Sequence, residues 1–116
     1  MNIQIYAAKK NFAVQKAERF FKERKISYQL VDLNKHVLGP REMDLFVKSV
    51  GITQLIDYEN KKVKEHPLGH MNIESTMKEI LMENPGFMIS PIVRNGNKIT
   101  LGEATDIWET WVKEKK

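Results

Sequence analysis

Two sets of residues in this chain have types and spacings that can do chemistry. His66 and His70 stand at i and i+4, the spacing of two metal ligands on one helix face. Pro67 and Gly69 lie between them and break such a helix, and no carboxylate is placed as a third ligand in sequence. His36 sits alone, so solvent-facing histidines are the simpler reading and no metal or other cofactor is expected. Lys9 and Lys10 lead into Asn11 and Phe12, where an amphipathic segment begins. The free N–H groups and dipole of a helix start favour an anion, and the two lysines add positive charge beside it. The plainer account makes the lysines solvated and Asn11 only a cap, its side-chain oxygen accepting from a first-turn N–H.

What is missing is equally informative. The 116 residues include no cysteine. Disulfide stapling, thiolate-held zinc or iron–sulfur sites and thiol catalysis are excluded within the chain. The length fits a single domain, 1–116, with one hydrophobic core. The net charge of +4 comes from basic and acidic residues that are mostly interleaved, and a nucleic-acid binder would carry a denser basic stripe. No apolar run approaches the roughly 20 residues of a membrane helix. The opening MNIQIYAAKK has no charged region before an apolar stretch and no small-residue cleavage site. Neither a membrane nor direct nucleic-acid contact is expected, and the expected location is cytoplasmic.

The elements that must position these residues follow from periodicity. Asn2 to Tyr6 alternate and read as a strand, with Ile3 and Ile5 on one face. Ala13, Ala17, Phe20 and Phe21 then recur at helical spacing, and the helix should end near Lys25. Ser27 to Leu33 form a second strand, with Tyr28, Leu30 and Asp32 on one face and Val31 and Leu33 on the other. A strand, helix and strand in this order predict a parallel, right-handed βαβ unit. Pro40 opens the next helix, whose stripe is Met43, Phe46, Val47 and Val50, and Gly51 is placed to end it in the left-handed conformation. Ile52, Leu55 and Ile56 predict a short helix. Tyr58 to His66 predict another, closed by Pro67 and Gly69.

Asn72 is expected to cap a helix that turns Ile73, Met77, Ile80 and Leu81 inward, and Asn84-Pro85-Gly86 stops it. Phe87 to Arg94 is an apolar run interrupted at Ser90-Pro91. Asn95-Gly96 predicts a type I′ hairpin turn, with Asn97 to Leu101 as the returning strand. After Gly102 a last helix presents Ala104, Ile107, Trp108, Trp111 and Val112 on one face, and the final Lys-Glu-Lys-Lys frays.

A β-α-β half joined to a β-β-α half by a helical insertion, at about 39–83, resembles the arsenate reductase (ArsC) and Spx family of thioredoxin-like proteins. Three matches carry the resemblance: Tyr6 at the end of the first strand with Lys16-Ala17 in the helix, Asn84-Pro85-Gly86 before Pro91-Ile92-Val93, and Leu101-Gly102 before the last helix. It implies an α/β fold with a four-stranded mixed sheet. Nitrogenase-associated and glutaredoxin-like proteins share that scaffold. The family's redox loop is Tyr-x-x-x-x-Cys-x-x-Cys-x-Lys-Ala, with Arg-Pro-Ile beside it. Counted from Tyr6, Asn11 replaces the family's nucleophilic cysteine and Val14 the second one, while Ser90 replaces the arginine before the proline. A further oxyanion-binding arginine falls near Glu103. The insertion, which supplies another in the family, here reads Leu55-Ile56-Asp57-Tyr58-Glu59-Asn60.

Arsenate reduction in the family needs a thiolate to attack arsenic and arginines to stabilise thiolate and anion. Asparagine is no nucleophile, and serine supplies no bidentate positive fork. The resemblance therefore implies a member without the redox chemistry. What remains is a binding module around Lys9, Lys10, Asn11, Phe12, Ser90 and Pro91. Pro91 would be a cis proline facing the Asn11 loop, and the ligand an oxyanion, a glutathione-like peptide or a protein. A Spx-like regulator contacting RNA polymerase near Gly51 is the alternative. An enzyme of another sort, using Tyr6, a lysine or the histidines, is the third.

Overall fold

The computed structural model describes residues 1–114; the end of the basic tail, Lys115 and Lys116, lies outside the described residues. The chain runs β1 (Ile3–Ala7), α1 (Phe12–Glu23), β2 (Tyr28–Asp32), α2 (Pro40–Val50), α3 (Ile52–Leu55) and α4 (Lys61–Lys64). It continues with α5 (Glu74–Glu83), β3 (Ile92–Asn95), β4 (Lys98–Leu101) and α6 (Thr105–Glu114). The sheet order is β2-β1-β3-β4. β1 pairs parallel with β2 and antiparallel with β3, and β3 pairs antiparallel with β4. This is the mixed, thioredoxin-like sheet implied by the order of elements, with α2 to α5 inserted between the halves.

The alternation of β1 divides the core. Ile3 and Ile5 point to one face, where Ala17, Phe20 and Phe21 of α1 meet Trp108 and Trp111 of α6. Tyr6 points to the other, where it packs edge-on against Phe46 of α2 at 5.1 Å, among Met43, Leu55 and Leu81. Each such apolar side chain contributes about 1.5–3 kcal/mol by leaving water. Trp108 is fully buried, and its indole N–H donates to Thr100 Oγ1 at 2.8 Å, so its one polar atom is satisfied.

Several boundaries differ from those read in the sequence. Lys25 lies beyond α1 with φ 58°, and the Lys25 and Ile26 N–H groups donate to Lys22 and Phe21 carbonyls. That is a Schellman closure, with a lysine in the left-handed position that glycine prefers. Gly51 has the expected positive φ, but at 88° with ψ 147° it is extended rather than left-handed helical, and it turns the chain directly into α3. Asn72 does not cap α5. Ile73 occupies that position without a side-chain bond and is 59% exposed, because the helix starts only at Glu74. Ile107 is likewise exposed, since the buried face of α6 is centred on Trp108 and Trp111.

Pro67 and Gly69 do not simply close α4. They belong to a 3₁₀ turn, Pro67–His70. In the β3–β4 hairpin Asn95 pairs with Lys98, so the turn residues are Gly96 and Asn97. Of the two only Gly96 has positive φ, the pattern of a II′ rather than a I′ turn. No helix among the described residues is long and apolar enough to cross a membrane.

Candidate functional site

Asn11 sits between β1 and α1 with extended backbone, φ −139° and ψ −178°. Its Oδ1 accepts the Val14 N–H at 2.8 Å, which is the cap expected of it. Its Nδ2 donates to the Ser90 carbonyl at 3.0 Å. Ser90 is buried; its Oγ accepts the Ala8 N–H at 3.2 Å, and its bond to Pro91 is cis. Two segments 79 residues apart are thus joined by one side-chain amide. Asn11, Ser90 and Pro91 come together. Lys9, Lys10 and Phe12 stand around them on the surface, Phe12 at 84% exposure.

Carboxylates stand where the resemblance places the arginines of the insertion and of the segment after Gly102. The segment 56–60 is stitched to the chain before Ser90. Ile56 bridges Met88, the Asp57 N–H donates to the Phe87 carbonyl, and Asn60 Nδ2 donates to the Gly86 carbonyl. Asp57 faces Lys9 at 3.7 Å. Glu103 accepts the Thr105 N–H at 3.0 Å at the start of α6 and lies 3.8 Å from Lys16. The Thr105 N–H holds its carboxyl below the usual range, with Lys16 adding to the effect. Val14, at the second cysteine position, is fully buried core. The arrangement offers hydrogen bonds, an exposed aromatic and two lysines. It offers no nucleophile at position 11 and no guanidinium at position 90.

His66 is half-buried rather than solvent-facing. Its Nδ1 accepts the Leu68 N–H at 3.0 Å, and its ring meets Phe87 edge-on. That nitrogen caps a turn, and no group of three or more potential metal ligands occurs among the described residues.

A polar network escaped the sequence reading. Tyr6 Oη donates to Glu42 Oε2 at 2.9 Å and receives Arg94 at 3.4 Å. Glu42 Oε1 accepts the Gly39 N–H at 3.1 Å and lies 3.2 Å from His36 Nε2. The Gly39-Pro40-x-Glu42 spacing carries a signal for the last part, because a glutamate at the third helical position reaches back to the residue before the helix. Nothing local links it to Tyr6 or Arg94.

The fold is thioredoxin-like with a helical insertion between its halves, and an amide, that of Asn11, stands at the start of α1. Solved structures of arsenate reductase-related proteins share the fold. An arsenate reductase from Vibrio cholerae superposes with a TM-score of 0.80 at 15% identity, covering 92% of this chain and 94% of its own. An arsenate reductase (ArsC) related protein from Brucella melitensis gives 0.72 at 22% identity, covering 97% and 96%. A Staphylococcus aureus protein solved by NMR gives 0.79 at 25% identity, covering 93% and 96%. No protein-family model matches the sequence, and no curated protein matches it. The likeness lies in the fold.

Proposed function

We propose that this chain is a non-catalytic, redox-inert binding protein on the ArsC-type scaffold, acting through the face around Asn11, Phe12 and Pro91. The observation that carries the reading is the Asn11 bridge: the amide at the nucleophile's position has both its polar atoms engaged, with Val14 and with Ser90. A position so used serves architecture rather than group transfer. The exposed Phe12 beside it supports a binding role, because a large aromatic ring left in water is a common anchor for a partner. The ligand classes that fit are an extended or glutathione-like peptide, or an oxyanion drawn by Lys9 and Lys10. A cytoplasmic location goes with this reading.

The polymerase-contacting alternative rests on Gly51, whose positive φ already gives it a backbone role. Two measurements test the main reading. The purified chain, given arsenate with glutathione and glutaredoxin, is expected to show no turnover; turnover would end the non-catalytic reading. Titration of the ¹⁵N-labelled chain with glutathione, and separately with phosphate, is expected to move the amides of Asn11 to Val14. Unmoved amides in both titrations would remove the binding face.

A further inference from the structure

A second feature lies on the β2 side of the same loop. A cleft of about 160 Å³ opens at the carboxyl ends of the parallel strands β1 and β2. Its floor is apolar, made by Leu30 and Ala7 with the buried Val14 beneath. Lys9 and Lys10 stand on one rim, and Asp32 and Asn34 on the other. In open α/β sheets the carboxyl ends of parallel strands are where ligands sit, since the chain must loop away there and leave a crevice.

The rims are fixed to each other. Asn34 Nδ2 donates to the Ala8 carbonyl at 2.6 Å, tying the loop after β2 to the loop after β1. The Leu33 N–H extends the ladder to the Ala7 carbonyl. Asp32 Oδ1 accepts the Asn34 N–H at 2.9 Å, which orients the carboxylate and leaves Oδ2 for another donor. Lys9 is within 3.7 Å of Asp57, whereas Lys10 makes no ion pair among the described residues. Leu30 is 38% exposed, so a ligand covering it removes apolar surface from water.

We propose that this cleft binds a small zwitterion of the amino-acid type. Its aliphatic body lies over Leu30 and Ala7, its carboxylate toward the Lys9–Lys10 rim and its ammonium toward Asp32. The size agrees: a cavity of roughly 150 Å³ takes one benzene-sized molecule, and charged ends add atoms only at the open rim. Apolar floors with a few placed polar groups are the usual build of small-molecule sites. The cleft shares Lys9 and Lys10 with the Asn11–Pro91 face but lies on its β2 side, and Leu30, Asp32 and Asn34 give it a distinct readout.

The test is a titration of the ¹⁵N-labelled chain with L-valine, with isovalerate (no ammonium) and isobutylamine (no carboxylate) as comparators. Saturable shifts are expected at Ala8 to Lys10 and at Leu30 to Asn34. Each comparator should bind about tenfold more weakly, the loss of one charge-assisted contact. Asp32→Asn keeps the acceptor for the Asn34 N–H; it should weaken valine about tenfold and leave isovalerate unchanged. Lys10→Met should weaken valine and leave isobutylamine unchanged. The proposal is overturned by the absence of saturable shifts at tens of millimolar valine, or by isovalerate binding as tightly as valine. Shifts confined to Asn11–Ala13, with none at Leu30 to Asn34, would also overturn it, since they report the other face.

Discussion

Asn11 and Ser90 are joined by a 3.0 Å hydrogen bond from amide to carbonyl, while the same side chain caps α1 through Val14 at 2.8 Å. The two halves of that role separate by substitution. Asn11→Ser keeps an oxygen for the cap and loses the donor to Ser90. Asn11→Ala loses both. Expected destabilisation is about 1 kcal/mol for serine and about 2–3 kcal/mol for alanine, read from urea unfolding midpoints. Equal midpoints for the two variants would mean that the cap to Val14 contributes nothing, and a serine variant as stable as the wild type would mean the same of the bond to Ser90.

Lys25 holds φ 58° without a glycine's freedom, in the left-handed position of the Schellman closure. A side chain there crowds the backbone, whereas glycine does not. The contact that accompanies the motif, Ile26 with Phe21, belongs to the buried cluster and survives the change. Lys25→Gly should therefore stabilise the protein by about 0.5–1 kcal/mol, raising Tm by about 3–5 °C in calorimetry. A fall in Tm would show that the lysine side chain does more at that position than its backbone geometry implies.

These two residues also show where the sequence is legible. Asn11 was readable as a cap, because the signal is a polar residue just before an apolar periodicity, and the core faces of β1, α1 and α2 follow from the same local repeats. Its bond to Ser90 was not, because contact across 79 residues depends on how the halves of the sheet dock. Asn72 and Asn95-Gly96 misled for a related reason. Both are good local signals one residue out of register, and the buried positions of Met77 and of the β3–β4 pairing decided the register instead. Ile73 and Ile107 fall on the apolar stripes yet are exposed, because periodicity gives a stripe its centre but not its width. Leu30, Asp32 and Asn34 carry no motif; only the ends of two parallel strands bring them to Lys9 and Lys10.

Glu42 and Tyr6 make stability depend on pH at both ends. Burial acts to raise the Glu42 carboxyl, but the Gly39 N–H, the Tyr6 hydroxyl and His36 together outweigh it and hold it below the usual value. The unfolded chain then binds more protons than the folded one. The stability Glu42 contributes is present above the ordinary glutamate pKa and is lost as pH falls through its lowered folded value, from about pH 5 downward. Glu103 titrates in the same direction, so Glu42→Gln should flatten the acid limb without abolishing it. Tyr6 is raised, first by burial, with Glu42 adding and Arg94 opposing. Its contribution is full below the ordinary tyrosine value, about 10, and declines as pH rises through the folded one. Tyr6→Phe should soften the alkaline limb. At neutral pH it should cost about 1–2 kcal/mol, because Glu42 Oε2 loses its donor. Denaturant melts from pH 3 to 11 measure both limbs, and unchanged slopes in the two variants would count against this network.

Placing sulfur at position 11 tests what a thiol at this helix start can do. In Asn11→Cys the thiol would stand at the start of α1, whose free N–H groups stabilise a thiolate, with Lys9 and Lys10 nearby. Its pKa should fall from the free value of about 8.5 to roughly 7 or below, seen as the midpoint of the iodoacetamide alkylation rate against pH. Arsenate turnover should still be absent. Ser90 provides no guanidinium, and the nearby segments supply the carboxylates of Asp57 and Glu103, which oppose an oxyanion. Adding Ser90→Arg should give measurable retention of arsenate by Asn11→Cys, because a guanidinium would then extend from residue 90, whose side chain now meets the Ala8 N–H in the loop before α1. Turnover by Asn11→Cys alone would show instead that a thiolate at this helix start suffices without a guanidinium at position 90.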